Sequence, residues 1–288
     1  MKKIQNVKVG LNYTHRLYSD EDTEIVDLVI PNNVTCIEDF AFARCTNISS
    51  ITIPNSVTKI GSSAFAECTL LTSVIIPNSV TSIGHDAFRE CSNLSSVIIG
   101  TSVANIGDYV FSGCSGLTSL TIGNSVTNIG DYVFERCSNL TSVTIPNSVT
   151  HIGAGAFNHC SRITSISIGS GIKSIKDEAF SYCSELTDVT CYAESVPGTY
   201  KNVFKDSYIE YATLYVPSSA VVAYKEKEPW KYFKSIVEIN PTSIEFVSTS
   251  KQEPVSYYSL DGRKIDSPKS GTVVVKKQGN RMKKVLIK

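Results

Sequence analysis

The chain has 288 residues, of which 42% are hydrophobic and 19% are charged, a balance typical of a packed protein rather than a disordered one. Its 27 basic and 27 acidic residues cancel, so the whole chain gives no argument for binding nucleic acid. Residues 241–288 carry a net charge of +6 and the first 240 carry −6, and we interpret the short basic stretch as a solvated face. Because no run of about 20 apolar residues occurs, no integral membrane segment is predicted.

Residues 1–27 are predicted to form an N-terminal capping segment. Val7, Val9, Leu11 and Tyr13 alternate with polar residues, which indicates one strand, and the acidic run at 19–22 is typical of an exposed turn. The start of the chain is basic but lacks the apolar core of a secretory signal. Either the protein stays inside the cell or a signal has been removed, and a C-terminal resemblance described below favours removal.

Residues 28–240 are predicted to form a repeat solenoid, because one unit returns every 23 residues. Seven phenylalanines and seven cysteines keep this spacing without a slip: Phe42, Phe65, Phe88, Phe111, Phe134, Phe157 and Phe180, with Cys45, Cys68, Cys91, Cys114, Cys137, Cys160 and Cys183. Each unit begins with L-x-x-V-x-I, which predicts a strand that proline or glycine ends. An apolar V-x-x-I-G follows, and then A-F-x-x-C, a tight turn or a single helical turn. We expect the copies to stack one strand each into a parallel sheet with about 4.8 Å between strands.

The repeat loses its register after Cys191, where Val196 and Phe204 come one residue late. Residues 213–217 restore a strand that ends in proline.

A C-terminal cap is predicted at about 218–240. Ser218 is the predicted N-cap of a helix from Ser219 to about Lys227. Trp230 and Phe233 are predicted to cover the open core of the last coil, and residues 236–239 to form a final strand.

Residues 241–288, after the linker at Asn240-Pro241, are predicted to form a small antiparallel β module. Strand-like runs cover 255–260, 272–276 and 283–287. Asp261-Gly262 is a strong signal for a β-hairpin, and residues 278–280 predict a second turn.

The unit L-x-x-V-x-I-P-x-x-V-x-x-I-G-x-x-A-F-x-x-C resembles the BspA-like leucine-rich repeat family over about residues 28–217. A few copies depart from it: Gly100, Gly123 and Gly169 replace the proline, and Val110 and Val133 replace the alanine. The resemblance implies a mainly β, right-handed stack of leucine-rich repeat coils in a surface or secreted adhesin-like protein. The final Y-S-L-D-G-R-K-I … K-V-L-I-K resembles the sorting-type modules of exported Bacteroidetes proteins, which implies an extracellular or cell-surface location.

The cysteines are predicted to be buried free thiols. Neighbours in the column would lie about 5 Å apart, which permits disulfides as the alternative. Every coil needs the same small apolar filler there, however, and an odd number of thiols cannot all pair. Cys191 is expected in the core and Cys36 at the surface. No C-x-x-C pair occurs, so no zinc site is predicted.

No catalytic residue, cofactor or metal is predicted, and we expect that the protein is not an enzyme. The sequence contains no G-x-S-x-G elbow, no dinucleotide-binding G-x-G-x-x-G and no P-loop. The four histidines share no ligand spacing: His15, His85, His151 and His159.

The outward positions of the repeated strands are the main candidate binding surface. They form two hydroxylated columns, and the candidate partner-binding residues are Ser73, Ser96, Ser119, Thr121, Ser142, Thr144 and Ser165. A competing interpretation is that these hydroxyls only solubilise the strands. Tyr109 and Tyr132, each after an aspartate, are candidates on another edge.

Two functions remain open. The first is a protein–protein interaction module that binds a host protein, such as an extracellular matrix protein, or another bacterial surface protein, and no nucleic acid. The second is a structural spacer or display scaffold of the envelope. Glycan binding is a third and weaker option, because aromatic side chains are scarce on the predicted sheet face.

Overall fold

The structure is a computed structural model of the whole chain. It describes residues 17 and 23–239 in full and, of the other residues, only the backbone of the strands at 7–8, 18–19, 256–258, 264–265, 273–278 and 281–286. The chain divides into two compact units, Met1–Ile239 and Asn240–Lys288. The first unit is a parallel β-solenoid of about nine turns with a 23-residue period, which confirms the predicted fold class.

The strands of L-x-x-V-x-I form one side of the solenoid, and we call their outward surface the strand face. They are β3 (Asp27–Val29), β5 (Ser50–Thr52), β7 (Ser73–Ile76), β9 (Ser96–Ile99), β11 (Ser119–Thr121), β13 (Ser142–Ile145), β15 (Ser165–Ile168), β17 (Asp188–Cys191), β19 (Thr213–Val216) and β20 (Ser235–Glu238). All of their pairings are parallel. The ladder is divided into sheets of two, three and five strands, with breaks between β5 and β7 and between β11 and β13.

A second parallel ladder, which the sequence interpretation did not include, runs through the V-x-x-I segments. Its eight strands are β4 (Cys36–Ile37), β6 (Lys59–Ile60), β8 (Ser82–Ile83), β10 (Asn105–Ile106), β12 (Asn128–Ile129), β14 (His151–Ile152), β16 (Ser174–Ile175) and β18 (Gly198–Thr199). Each coil therefore contributes two strands, not one. The glycine after the isoleucine lets neighbouring backbones approach closely, since a Cβ at Gly153 would lie 2.3 Å from the Gly130 carbonyl oxygen.

The A-F-x-x-C segments form tight turns rather than helical turns, and they define a third side that we call the loop edge. In one coil the amides of Ser63, Phe65 and Glu67 donate to carbonyls of the next coil at 2.8, 2.8 and 2.7 Å. Ser63 and Glu67 have left-handed φ values of 52° and 59°. Every second amide of this segment therefore donates to the next coil, so the loop edge has its own hydrogen-bond ladder.

The core lies between these three sides. The phenylalanine column forms a continuous ring stack from Phe42 to Phe204, with centroid separations between 5.1 and 5.7 Å. The inward valines and isoleucines of both strand ladders are buried beside it. Each coil thus buries its apolar side against the coils above and below, as a repeat protein must.

Asn47 connects the first full coil to the chain that precedes it. Its Oδ1 accepts from the Leu17 amide at 2.8 Å, and its Nδ2 donates to the carbonyls of Leu17 and Ile25 at 3.0 and 2.9 Å. The strands β1 (Val7–Lys8) and β2 (Tyr18–Ser19) pair in antiparallel fashion. Most of the segment predicted at 1–27, including Val9, lies outside the described residues, so its extent stays a prediction.

The C-terminal cap agrees with the sequence interpretation except at its helix. Residues 218–220 form a 3-10 turn, closed by the bond from the Ala220 amide to the Pro217 carbonyl at 2.9 Å. The α-helix α1 (Val221–Glu226) begins only after this turn, with Ala220 at its N-cap and no side-chain cap. The helix predicted from Ser219 to about Lys227 is therefore present, but the prediction that Ser218 is its N-cap is wrong, because the tight turn after proline comes first.

The prediction for Trp230 is confirmed. This side chain is fully buried and meets the last phenylalanine of the stack, Phe204, edge to face at 5.4 Å. Phe233 makes a second edge-to-face contact with Phe204 at 5.3 Å. The expected final strand is β20, which pairs with β19.

The second unit contains four strands whose backbones pair in antiparallel fashion, in the order β22-β21-β23-β24. They are β21 (Ser256–Tyr258), β22 (Lys264–Ile265), β23 (Val273–Gln278) and β24 (Arg281–Leu286). The side chains of this unit lie outside the described residues, so its assignment as a sorting-type module stays a prediction, as does the division at residue 241.

Candidate functional site

The candidate serines lie in register on the strand face. Ser96 pairs with both Ser73 and Ser119, and Ser142 pairs with Ser165. All five point outward and are exposed or partly exposed, while their inward neighbours are buried, except for the partly buried Leu120. Thr121 and Thr144 are exposed in the second outward column. The structure therefore presents these hydroxyls as expected, and their role in binding stays a prediction.

The candidate serines and threonines of the strand face lie on two separate sheets rather than on one continuous sheet. β11, with Ser119 and Thr121, ends one sheet, and β13, with Ser142 and Thr144, begins another. On the opposite side of the same coils β10, β12 and β14 pair without a break. The centroid distance between Phe111 and Phe134, 5.6 Å, is the longest between Phe42 and Phe180. The candidates thus form two groups separated by an unpaired step in the strand ladder.

The second outward column contains two isoleucines that sequence reasoning did not select as site residues. Ile75 and Ile98 are register partners on β7 and β9, and they are 62% and 41% exposed. The same column holds Thr121 and Thr144 in later coils. The signal was present in the sequence, because two apolar residues interrupt a column of hydroxyls.

A shallow groove of about 620 Å³ surrounds this isoleucine pair. Ser73 and Thr121 border it on the strand face, and the turns at Pro77-Asn78 and Gly100-Thr101 border it at the strand ends. No charged side chain lines the groove. It therefore offers an apolar centre with a neutral, hydroxyl-bearing border.

The candidate tyrosines Tyr109 and Tyr132 lie together on the loop edge. Their rings stack with centroids 5.1 Å apart and an interplanar angle of 9°. Tyr109 is 36% exposed and Tyr132 is half-buried. The aspartates before them support the fold, since Asp108 Oδ1 accepts from the Asp131 amide and Asp131 Oδ1 from the next coil's amide, each at 2.8 Å. The tyrosine rings are therefore the side chains of this group that have no bond in the backbone ladder.

The cysteine column is buried and all nine cysteines are free thiols. Each thiol from Cys68 to Cys183 donates to the phenylalanine carbonyl of the coil before it, with Sγ–O distances of 3.1 to 3.5 Å. Burial raises the pKa of every thiol in the column, to about 11 at Cys45 and about 12 at Cys183. Such thiols are poor nucleophiles and serve as core residues.

We expect a thiol reagent to label about one cysteine per native chain, at Cys36, and all nine after denaturation. Cys36 is partly exposed, and its pKa is raised by burial and by the Glu38 carboxylate, so access rather than acidity makes it the first to react. Mass spectrometry of alkylated peptides measures the order. Early labelling of Cys114 or Cys137 would contradict the buried column, and Cys36→Ser should abolish the native signal.

The described residues hold no group of three His, Cys, Asp or Glu side chains that could bind a metal ion. In the same part of the chain no helix is both long and apolar enough to cross a bilayer.

The comparisons with known proteins agree with this architecture. The sequence profile described as "BspA type Leucine rich repeat region" matches six copies, over residues 17–137 and 104–223. No curated protein sequence matches the chain.

Several solved structures resemble the chain. The leucine-rich repeat protein of T. pallidum is 26% identical, with a TM-score of 0.55 over 73% of this chain and 85% of that one. A leucine-rich cell surface protein from Faecalibacterium prausnitzii is 20% identical, with a TM-score of 0.42 over 87% and 98%. A leucine-rich repeat protein from Bacteroides ovatus is 20% identical, with a TM-score of 0.31 over 75% and 84%. The first of these supports the leucine-rich repeat solenoid.

Proposed function

The chain belongs to the BspA-type leucine-rich repeat family, and from this premise we propose that it is a non-catalytic module that binds a protein partner through the strand face. The observation that carries the proposal is the exposed pair Ile75 and Ile98, in register at the centre of a neutral groove. Leucine-rich repeat proteins usually bind other proteins and are generally non-catalytic.

An apolar pair surrounded by hydroxyls has the composition of an interface centre. Burying the exposed surface of Ile75 and Ile98 under a partner provides the hydrophobic gain, and the serines and threonines around them provide hydrogen bonds at the rim. No charged residue lines the groove, so recognition there depends on shape and apolar contact rather than on ion pairs. An extended polypeptide laid across the strands meets the same two outward columns on every coil.

The proposed location is the cell surface or the extracellular space, and the proposed partner is a host extracellular matrix protein or another bacterial surface protein. Membership of the BspA-type family supports this placement. The resemblance of residues 241–288 to sorting-type modules points in the same direction. An adhesin-like role follows if the partner belongs to a host.

Replacing both isoleucines by threonine tests the proposed binding site. We expect Ile75→Thr with Ile98→Thr to weaken partner binding by at least about tenfold, which corresponds to about 1.4 kcal/mol. That is less than the gain from fully burying one isoleucine. Threonine is the native residue of this column at Thr121 and Thr144, so the melting temperature should barely move. Surface plasmon resonance of the full chain over immobilised extracellular matrix and bacterial surface proteins measures the change.

Two further variants separate the possible surfaces. Val222→Thr makes the same kind of change at an exposed residue of α1 and should leave binding unchanged. Tyr109→Ala with Tyr132→Ala removes the stacked pair on the loop edge. If this tyrosine pair abolishes binding and the isoleucine pair does not, the strand face is the wrong site. If the wild-type chain retains no protein at all, the spacer interpretation is favoured.

A further inference from the structure

A cleft of about 410 Å³ opens on the loop edge of the last three full turns, and it is lined by two parallel rows of side chains. One row is His159, Tyr182 and Asp206, and the other is Ser161, Ser184 and Tyr208. Its volume lies in the range of about 300–1,000 Å³ typical of small-ligand sites. We propose that this cleft binds a neutral hexopyranose unit of a glycan, a function separate from protein binding at the strand face.

Aromatic rings form much of the cleft. The rings of His159 and Tyr182 stack with centroids 4.3 Å apart and an interplanar angle of 4°. Tyr208 is 52% exposed and stacks on no other ring within the described part of the chain. The face of an aromatic ring carries partial negative charge, and it attracts the weakly positive C–H groups on the face of a pyranose ring. Tyr208 therefore offers a free platform for a sugar ring.

The polar groups of the cleft match the hydroxyl groups of a sugar. The Asp206 carboxylate has no hydrogen bond or ion pair with any described residue, and it can accept from two sugar hydroxyls. Charge-assisted bonds of this kind are the stronger ones. Ser184 donates to the Ser161 carbonyl at 3.4 Å and keeps its own acceptor positions free.

The charge of the cleft favours a neutral sugar over an acidic one. None of the six lining residues is lysine or arginine. Lys205, which precedes Asp206, lies outside this lining, with its Nζ 5.7 Å from the Tyr182 ring centroid and 4.0 Å from Glu178 Oε1. A carboxylate, phosphate or sulfate group in the cleft would face the Asp206 carboxylate, and the neighbouring cation, Lys205, already interacts with Glu178, Tyr182 and Asp206.

Buried hydrogen bonds hold one wall of the cleft in place. Asn158 and Ser181 lie behind the stacked rings, and both are buried. The Asn158 Nδ2 donates to Ser181 Oγ at 2.7 Å, and Ser181 Oγ donates to the Glu178 carbonyl at 2.9 Å. The His159 amide donates to the Ser181 carbonyl at 3.0 Å. A wall fixed in this way loses little conformational entropy when a ligand binds.

Tyr208 lines the other end of the cleft, and both Tyr208 and the buried Ser207 before it depart from the repeat. Ser207 takes the place of the cysteine, donating to the Phe180 carbonyl at 2.6 Å and accepting from the Cys183 amide at 2.9 Å. Tyr208 follows it with φ 50° and ψ 40°, a left-handed conformation that the equivalent residue does not adopt in the other described coils.

Glycine or asparagine would adopt this conformation at lower cost than tyrosine. A bulky residue kept at a strained position that the repeat does not require is a sign of function. The exposed Tyr208 ring lines the cleft, so packing in the core does not account for a tyrosine at this position.

The earlier coils carry a different lining at the equivalent positions, where a recess of about 680 Å³ is bordered mainly by charged side chains such as Arg44, Glu67 and Glu90. In the row of His159 and Tyr182 they hold Arg44, Glu67, Glu90, Gly113 and Arg136. Arg44 Nε and Glu67 Oε1 pair with each other at 3.1 Å. In this row the aromatic side chains are thus confined to the C-terminal turns, and the recess of the earlier coils has a charged lining instead.

Saturation-transfer NMR on the full chain tests the proposal. The probes are the methyl glycosides of glucose, galactose, mannose and N-acetylglucosamine, with the open-chain polyol glucitol as a control that has hydroxyls but no ring. We expect transfer to the ring protons of at least one glycoside and none to glucitol. Tyr208→Asn should weaken that glycoside's binding by at least about tenfold, while the melting temperature holds or rises, because asparagine tolerates a left-handed conformation.

Two variants make the assignment specific. Asp206→Asn preserves the size of the side chain and its tolerance of positive φ, and it should also weaken binding because the charged acceptor is lost. Tyr200→Asn removes an exposed tyrosine that does not line the cleft and should change nothing. The proposal is overturned if no glycoside receives transfer from the wild-type chain, if glucitol binds equally, or if binding survives both Tyr208→Asn and Asp206→Asn.

Discussion

Phe111→Ala is expected to lower the free energy of unfolding of the solenoid by about 3–5 kcal/mol, the usual cost of removing a buried phenylalanine side chain. The Phe111 ring is fully buried and stacks on two others, Phe88 at 5.4 Å and Phe134 at 5.6 Å. Truncation leaves a cavity between coils that the second strand ladder and the loop-edge hydrogen bonds hold at a fixed spacing, so the site can collapse only partly to fill it. Urea unfolding followed by far-UV circular dichroism measures the change.

The matched variant is Phe42→Ala in the first full coil. Phe42 is also buried, but it stacks on one phenylalanine, Phe65, at 5.2 Å. In a repeat protein each coil is stabilised by its nearest neighbours, so the substitution should lower the free energy of unfolding less in the end coil than in the central coil. Equal losses for Phe111→Ala and Phe42→Ala would contradict this nearest-neighbour account.

The main architecture could be predicted because the repeat is read from several independent columns. The 23-residue spacing of Phe111 and Phe134 predicts the ring stack, because each coil places a phenylalanine at the same position. Val74 and Ile76 predict the buried face of a strand, because neighbouring coils carry apolar residues at the same two positions. Burial of the cysteine column followed from the same argument. Prediction succeeded at positions where successive coils carry the same residue type and the equivalent side chains pack against each other.

Features that depend on backbone hydrogen bonds could not be predicted in this way. The two-residue strands such as β8 are too short to show the alternation of apolar and polar residues that indicates a strand, although eight of them form one continuous ladder from β4 to β18. The left-handed residues of the loop edge, among them Asp86 and Tyr109, are of many types, because the next coil's carbonyls impose the conformation. The unpaired step between β11 and β13 has no marker in the sequence.

The candidate site was only partly accessible to sequence reasoning for a related reason. The outward serine column follows directly from strand alternation, as at Ser119. Ile75 and Ile98 stand out only when compared with Thr121 in the same column. The cleft at His159, Tyr182 and Tyr208 joins residues of three turns, and the last turn has shifted out of the 23-residue register, so a fixed period does not align them.

Trp230→Ala should open the C-terminal end of the solenoid, because it should lower the free energy of unfolding of the C-terminal cap by about 3–5 kcal/mol. Trp230 is fully buried, contacts Phe204 and Tyr224 edge to face at 5.4 and 5.3 Å, and stacks on Phe233 at 6.2 Å. Its loss removes the cover from the last phenylalanine of the stack. Because coils interact only with their neighbours, the damage should be local, with β19 and β17 losing protection before β7.

Amide hydrogen exchange read by mass spectrometry distinguishes this local opening from global destabilisation. Peptides covering Thr213–Val216 and Asp188–Cys191 should exchange faster in Trp230→Ala, whereas the peptide covering Ser73–Ile76 should keep the wild-type rate. Tyr232→Ala is the matched control, since this neighbouring ring is exposed and its hydroxyl donates to the exposed Glu228 carboxylate at 2.7 Å. A uniform rise in exchange along the whole chain, or an equal effect of Tyr232→Ala, would show that Trp230 does not act as the cover of the last coil.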